Sequence, residues 1–198
     1  VIALLESLEI ESAHFIGNSM GGMVALKICL ERPSLVDKLI LMGPGGGYAI
    51  HSNFPTPGII NLMTFYDGEG PTLEKVRFFV EQAVFDRSVV TDELLLERLE
   101  AAKCPRIAAQ PPMRPGPAGP PEELWRDRRL ARISQDVLIL WGREDRIVPL
   151  DTGMILMRQI PKARLLVVPN CGHWVQWEHS TEFNAQVALF LGASSDQN

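Results

Sequence analysis

Residues 17–21 read Gly17-Asn18-Ser19-Met20-Gly21, the pattern G-x-S-x-G. This pattern places a serine on a sharp turn between a strand and a helix, with its hydroxyl raised at the top of a sheet. The turn needs small residues on both sides, and a side chain at Gly17 or at Gly21 is expected to clash. The helix that follows offers unpaired N–H groups and the positive end of its dipole, which favour a developing oxyanion. Nucleophilic catalysis by Ser19 is the chemistry this spacing allows. A glycine-rich turn with an incidental serine is the competing explanation. The strand-like run before the pattern and the helical run after it weigh against that.

A serine nucleophile needs a base, and the base needs an orienting acid. In folds with this elbow the chain order is serine, then acid, then histidine. Of the four histidines, His14 precedes the elbow and His51 lies too early for an acid to come between. His179 sits at a helix start, as a capping or surface residue. His173, in Asn170-Cys171-Gly172-His173-Trp174, follows a strand directly and is the expected base. Cys171 and His173 offer a second nucleophile–base pairing, but residues two apart rarely face each other, and a small buried role suits Cys171 better. The acid is sought in Trp141-Gly142-Arg143-Glu144-Asp145-Arg146, after another strand. Asp145 is preferred, and Glu144 is expected to point away as a solvated charge. Three strand ends of one sheet then offer Ser19, Asp145 and His173 on the edge where open α/β sheets place their sites.

The elements that must position these residues follow from periodicity. Short apolar runs at 13–17, 38–43, 137–142 and 163–168 read as strands, and helical patterns run from Met23 to Arg32, from Asp151 to Gln159 and from Ser180 to Leu191. Strands alternating with helices predict an α/β fold with a mostly parallel sheet and crossover helices. Residues 48 to about 103 lose the strand pattern, and amphipathic stretches at 73–84 and 91–102 predict a helical insertion. The expected organisation is a core part with the elbow over 1–47, a helical lid over 48–130, and a core part with the acid and histidine loops over 131–198. Within the lid, Cys104 to Pro121 holds seven prolines, which no helix interior accepts. A long lid loop and a local reading-frame slip in GC-rich DNA both remain open for it. Val1, Ile2, Leu4, Leu5 and Leu8 have helical spacing without a start signal, so the chain is expected to be cut from something longer.

Composition excludes several classes. The 198 residues carry a net charge of −5, with 46% apolar and 22% charged residues, as in an ordinary globular domain. No concentrated basic patch invites nucleic acid or an anionic membrane, and no apolar run approaches the ~20 residues of a membrane helix. Three widely spaced cysteines make no disulfide framework, so a reducing, cytoplasmic location is expected. Gly43-Pro44-Gly45-Gly46-Gly47-Tyr48 breaks G-x-G-x-x-G at its last position, and His173 and His179 lie six apart without a third ligand. No cofactor and no metal are expected.

The sequence resembles the α/β-hydrolase family and, more narrowly, the meta-cleavage product hydrolases. These hydrolyse a carbon–carbon bond in 2-hydroxy-6-oxohexa-2,4-dienoates from aromatic ring fission. The segments that carry the resemblance are Gly17-Asn18-Ser19-Met20-Gly21-Gly22, Leu39 to Gly46, Trp141 to Arg146, and Cys171-Gly172-His173-Trp174-Val175-Gln176-Trp177-Glu178-His179. The last is the most specific, since most α/β-hydrolases have Gly-His there without the tryptophan. The match covers the chain outside roughly residues 104–121.

The resemblance implies an α/β-hydrolase fold carrying a helical lid, with Ser19, Asp145 and His173 as the triad and the Met20 N–H as one oxyanion donor. It implies that Arg98 is the lid arginine meeting the dienoate end of the substrate, with Asn18 and Trp174 as polar and aromatic contacts there. On helical position alone Arg98 reads as a surface charge. The resemblance further implies a small-molecule substrate, a homo-oligomer by analogy, and a glycine-rich oxyanion loop upstream of the elbow that these residues do not contain. A carboxylesterase on the same triad and an inactive truncated remnant are the alternatives.

Overall fold

In the computed structural model of the chain, residues 1–46, 49–111 and 123–193 are described. Most of the proline-rich stretch, the end of the Gly43–Tyr48 loop and the last five residues lie outside them, as do both explanations of the prolines at 112–121. Pro105 lies inside and opens a short helix, where a missing N–H costs nothing.

Among the described residues four strands, β1 (Ala13–Asn18), β2 (Val36–Met42), β3 (Asp136–Gly142) and β4 (Ala163–Val168), form one parallel sheet in the order β1-β2-β3-β4. Register pairs Asn18 with Met42 and Gly142 with Val168, so the loops leaving the strands emerge along one edge. β2 and β3 read as continuous apolar runs because helices cover both of their faces. Leu39, Leu41, Val137, Ile139 and Trp141 belong to one buried cluster with helix α2 (Met20–Glu31). Ile40, Met42, Leu138 and Leu140 pack on the opposite face with Val175 and Phe183. β1 is an edge strand, and Ile16 remains 48% exposed. The amphipathic helix expected at the start is present as α1 (Ile2–Ser7), but it buries none of its residues.

Between β2 and β3 runs the expected helical segment: α3 (Pro57–Met63), α4 (Leu73–Ala83), α5 (Asp92–Ala102) and α6 (Pro105–Ala109). The hydroxyls of Thr56, Thr72 and Thr91 accept N–H groups of Ile59, Lys75 and Leu94, so three of these four helices among the described residues have a threonine N-cap. Each such cap stabilises its helix by ~1 kcal/mol. Val76, Val80, Leu95 and Leu99 join the sheet's larger cluster, which seats the segment on the core. The chain after β3 forms α7 (Leu150–Gln159), and after β4 it forms α8 (Val175–Glu178) and α9 (Ser180–Gly192). Asp151 Oδ2 accepts the N–H groups of Ile50, His51 and Ser52, fastening the start of the helical segment to α7.

Two expectations need correction. The helix after the elbow begins at Met20, not Met23, because the reversal is completed within Ser19 alone. The loop expected between β4 and the last helix contains α8, a single turn too short to show periodicity.

Candidate active site

β1 ends at Asn18, and Ser19 takes φ 53° and ψ −117°, a conformation that L residues adopt only under strain. Glycine at position 17 is required, since a Cβ there would stand 2.4 Å from the Gly21 carbonyl oxygen. Gly21 is different: among the described residues a Cβ there would meet nothing within 4 Å. The expected clash at Gly21 is therefore corrected, because the crowding is one-directional. Met20 opens α2, in the first turn, where N–H groups have no intrahelical acceptor.

The expected base and its expected acid meet closely. His173 Nδ1 and Asp145 Oδ2 are 2.7 Å apart, with side chains only 2% and 1% exposed. The other Asp145 oxygen accepts the N–H groups of Ile147 and Val148 at 2.8 and 2.9 Å. The carboxylate is thus oriented by backbone on one side and orients the imidazole on the other. His173 Nε2 is buried and has no hydrogen-bond partner among the described residues. Serine–histidine contacts often tighten only when substrate is present.

The histidine loop is tied down at several points. The His173 N–H donates to Ala83 O at 2.7 Å. The Asn18 amide donates to Met42 O and to His173 O, at 3.1 and 3.2 Å, linking the nucleophile strand to the histidine loop. Both N–H groups of Asn18 are spent on backbone, so Oδ1 is the atom it has to offer a ligand. Glu144 departs from its expected role as a solvated charge pointing away. Its Oε2 accepts the Cys171 N–H at 3.1 Å while Oε1 takes Arg143 Nε at 2.7 Å. Burial opposes ionisation of Glu144, but Arg143 and the Cys171 N–H outweigh it and hold the carboxyl below its usual range.

Cys171 is fully buried, and burial drives its thiol far above the ordinary value, with the Glu178 and Asp145 carboxylates adding to the effect. A thiol kept protonated is no nucleophile, so Cys171 acts as a small core residue. Burial likewise pushes Cys29 up to about 11. His179 is not a side-chain cap, and its Nε2 pairs with Asn170 O at 3.0 Å.

Arg98 and Trp174, far apart in sequence, are brought together: the guanidinium lies 5.0 Å from the indole centroid. Trp174 also packs edge-on against Phe79 and Trp177, at 6.0 and 5.6 Å. Arg98 and Phe79 line a cavity of about 420 Å³ with Leu62, Phe65, Tyr66, Val80 and Pro111. Ser19 and His173 do not line it; Trp174, the residue after His173, touches two of its wall residues. The wall is braced by Lys75, whose ammonium donates to the carbonyls of Thr64, Phe65, Asp67 and Gly70. Tyr66 adds a hydroxyl bond to Ala102 O at the end of α5. Among the described residues, no group of three His, Cys, Asp or Glu side chains is placed to hold a metal, and no helix is long and apolar enough to cross a membrane.

One residue of this site escaped the sequence reading. Gly43, with φ 44°, directly follows β2, and a Cβ there would lie 2.9 Å from His173 Nδ1 and 3.0 Å from Asp145 Oδ2. Its glycine-rich surroundings carry part of the resemblance, but nothing in their spacing points to contact with His173 or Asp145. A glycine ending a strand beside two candidate site loops is the signal that could have found it.

The arrangement joins a carboxylate-oriented imidazole on the carboxyl edge of the sheet to an aromatic wall that carries a cation. A family model described as the alpha/beta hydrolase fold matches residues 1–180. The chain is 38% identical over 190 residues to a 2-hydroxy-6-oxononadienedioate/2-hydroxy-6-oxononatrienedioate hydrolase of Cupriavidus pinatubonensis, covering 96% of this chain and 65% of that protein. It is 40% identical over 200 residues to a 2-hydroxy-6-oxo-6-phenylhexa-2,4-dienoate hydrolase of Burkholderia cepacia, covering 96% and 66%. The chain thus spans just under two thirds of the length of these relatives. Its structure matches that of a meta-cleavage product hydrolase from Pseudomonas fluorescens IP01, with a TM-score of 0.80, 32% identity, and coverage of 96% of this chain and 68% of that one.

Proposed function

We propose, from the premise that this chain belongs to the α/β-hydrolase fold family, that its site hydrolyses a carbon–carbon bond in 2-hydroxy-6-oxohexa-2,4-dienoate-type products of aromatic ring fission. The observation that carries this reading is the pairing of a buried Asp145–His173 couple with Arg98 stacked on Trp174, the residue next to the base. The relatives named for such dienoates support the substrate class. A triad alone would serve an esterase equally well; a cation beside an aromatic plate is what a planar, anionic dienol needs.

In this reading the helical segment is a lid. Arg98 holds the carboxylate and enol oxygens while the dienol ketonises, so that the remote C–C bond gains a carbanion leaving group stabilised as a dienolate. His173 then takes the Ser19 proton, and Oγ attacks the 6-oxo carbonyl. The oxyanion gathers at the Met20 N–H, a donor of a kind that supplies roughly 3–4 kcal/mol of barrier lowering. Collapse breaks the C–C bond and leaves an acyl group on Ser19, while the departing dienolate, whose terminal carbon gained its proton on ketonisation, takes the proton held by His173 on its enolate oxygen and leaves as the dienol. Water, activated by His173, releases the acid. Asp145 keeps the imidazole in the required tautomer and stabilises its cation. Asn18 Oδ1 and the Trp174 face complete the dienoate end. The substrate is a small molecule, the location cytoplasmic, and the assembly a homo-oligomer.

Turnover of a ring-fission dienol against a nitrophenyl ester tests the substrate. The Ser19→Ala variant should lose turnover of both while still binding the dienol. Faster ester than dienol turnover would instead establish the carboxylesterase, and turnover retained by the variant would remove Ser19 from the mechanism.

A further inference from the structure

The segment Cys171–His179 contains an acid, Glu178, that the mechanism above does not use. It ends α8, and its two oxygens serve two separate elements. Oε1 accepts the Gly172 N–H at 2.7 Å, and Oε2 accepts the Phe85 N–H at 2.6 Å. Phe85 stands just beyond α4, and Gly172 just before the base. A third bond runs alongside, from the His173 N–H to Ala83 O at 2.7 Å. The seam is close-packed: a Cβ on Gly172 would lie 2.5 Å from Ala83 O. Only an ionised carboxylate presents two acceptors and no donor at this spacing, and bonds of this charge-assisted kind are short and strong.

We propose that Glu178 is a positioning residue for His173, clamping the histidine loop to the end of α4 so that the base is located by the helical segment as well as by the sheet. The proposal rests on the reading of Ser19, His173 and Asp145 as a triad. Glu178 touches neither Arg98 nor the cavity beside it, so its loss should spare ligand binding and slow the steps that need His173. A misplacement of about 1 Å is enough to cost roughly 100-fold in rate.

Glu178→Gln keeps the size but turns one acceptor into a donor facing an N–H. Two measurements on the whole chain decide the matter. In amide hydrogen exchange, Gly172 and Phe85 should exchange at least ~10-fold faster in the variant, as expected when a charge-assisted bond of roughly 1.5–3 kcal/mol is lost. Unchanged protection overturns the clamp. In labelling by diisopropyl fluorophosphate, the rate constant should fall about 10- to 100-fold while the fraction of Ser19 that finally reacts stays the same. A merely structural defect would lower the reactive fraction instead, and an unchanged rate constant overturns the proposal. Glu178→Asp, one methylene too short to span both donors, should fall between the two and serves if the glutamine variant does not fold. Labelling without dienol turnover in the parent chain would count against the substrate reading and leave the clamp standing. A parent chain that does not label would count against the triad, and hydrogen exchange alone then decides the clamp.

Discussion

At the carboxyl edge of the sheet, His173 and Asp145 are held by backbone: two N–H groups on Asp145, a carbonyl under the His173 N–H, and Gly43 pressed against both side chains. In the helical segment, Arg98 and the cavity wall are held by side chains, namely the Trp174 ring, the Lys75 ammonium and the Tyr66 hydroxyl. The first arrangement is buried and cannot shift without moving strands. The second stands on the exposed face of a helix whose other face is buried, and it changes with single residues. On the proposed reading, chemistry falls on the part that substitutions disturb least selectively, and recognition on the part they tune most freely. In the proposed hydrolase this separates turnover from substrate choice.

That contrast can be broken at its strongest point first. Asp145→Asn should keep the fold, since its amide oxygen can still accept from Ile147 and Val148, but it favours the wrong imidazole tautomer. We expect kcat to fall about 10⁴-fold for dienol and ester alike, measured by steady-state kinetics. Gly43→Ala comes next: the added Cβ pushes on the imidazole and carboxylate, and φ 44° becomes strained. A loss of about 100-fold in kcat with ~1–2 kcal/mol of stability is expected, read by kinetics and urea unfolding together. Neither variant should discriminate between substrates, and selectivity in either would undo the contrast.

Arg98→Met tests the other region. Losing a charged hydrogen bond of roughly 1.5–3 kcal/mol should lower kcat/KM for the dienol about 10- to 100-fold while leaving the neutral ester within about twofold. An equal loss for both would return Arg98 to a purely structural role.

The smallest effect is expected where the two regions are fastened, at Asp151. Burial opposes ionisation, but the His51, Ser52 and Ile50 N–H groups outweigh it and hold the carboxyl below its usual range. A group whose folded pKa is depressed contributes its stability above the unfolded value of about 3.9 and loses it as pH falls through the folded value. Asp151→Asn should therefore cost about 1–2 kcal/mol in urea unfolding at pH 7, and the gap from the parent should narrow as the pH drops below about 4. A gap independent of pH would mean that the charge does not matter.

Much of this was legible beforehand because it is local. Strand β1 and helix α2 announce themselves by apolar spacing on either side of Ser19, and the acid and histidine loops follow runs that only a buried strand explains. The helices at 73–83 and 92–102 were legible from amphipathic spacing. What stayed hidden depends on distant partners. Glu144 and Glu178 look like surface charges in sequence, yet each accepts N–H groups from the histidine loop. Asn18 carries no local mark of its bond to His173 O, 155 residues away.

By itself the sequence determined the elements, the glycine-flanked turn at Ser19 and the order in which Ser19, Asp145 and His173 follow strand ends, because periodicity, glycine placement and strand-end loops depend on neighbours a few residues apart. The tertiary structure alone decided that Gly43 rather than Gly21 makes room beside His173 and Asp145, that Arg98 stands over Trp174, and that the loop around His173 is bonded to both sheet and helices. Those outcomes turn on distances of about 3–5 Å between segments that only sheet register and packing bring together.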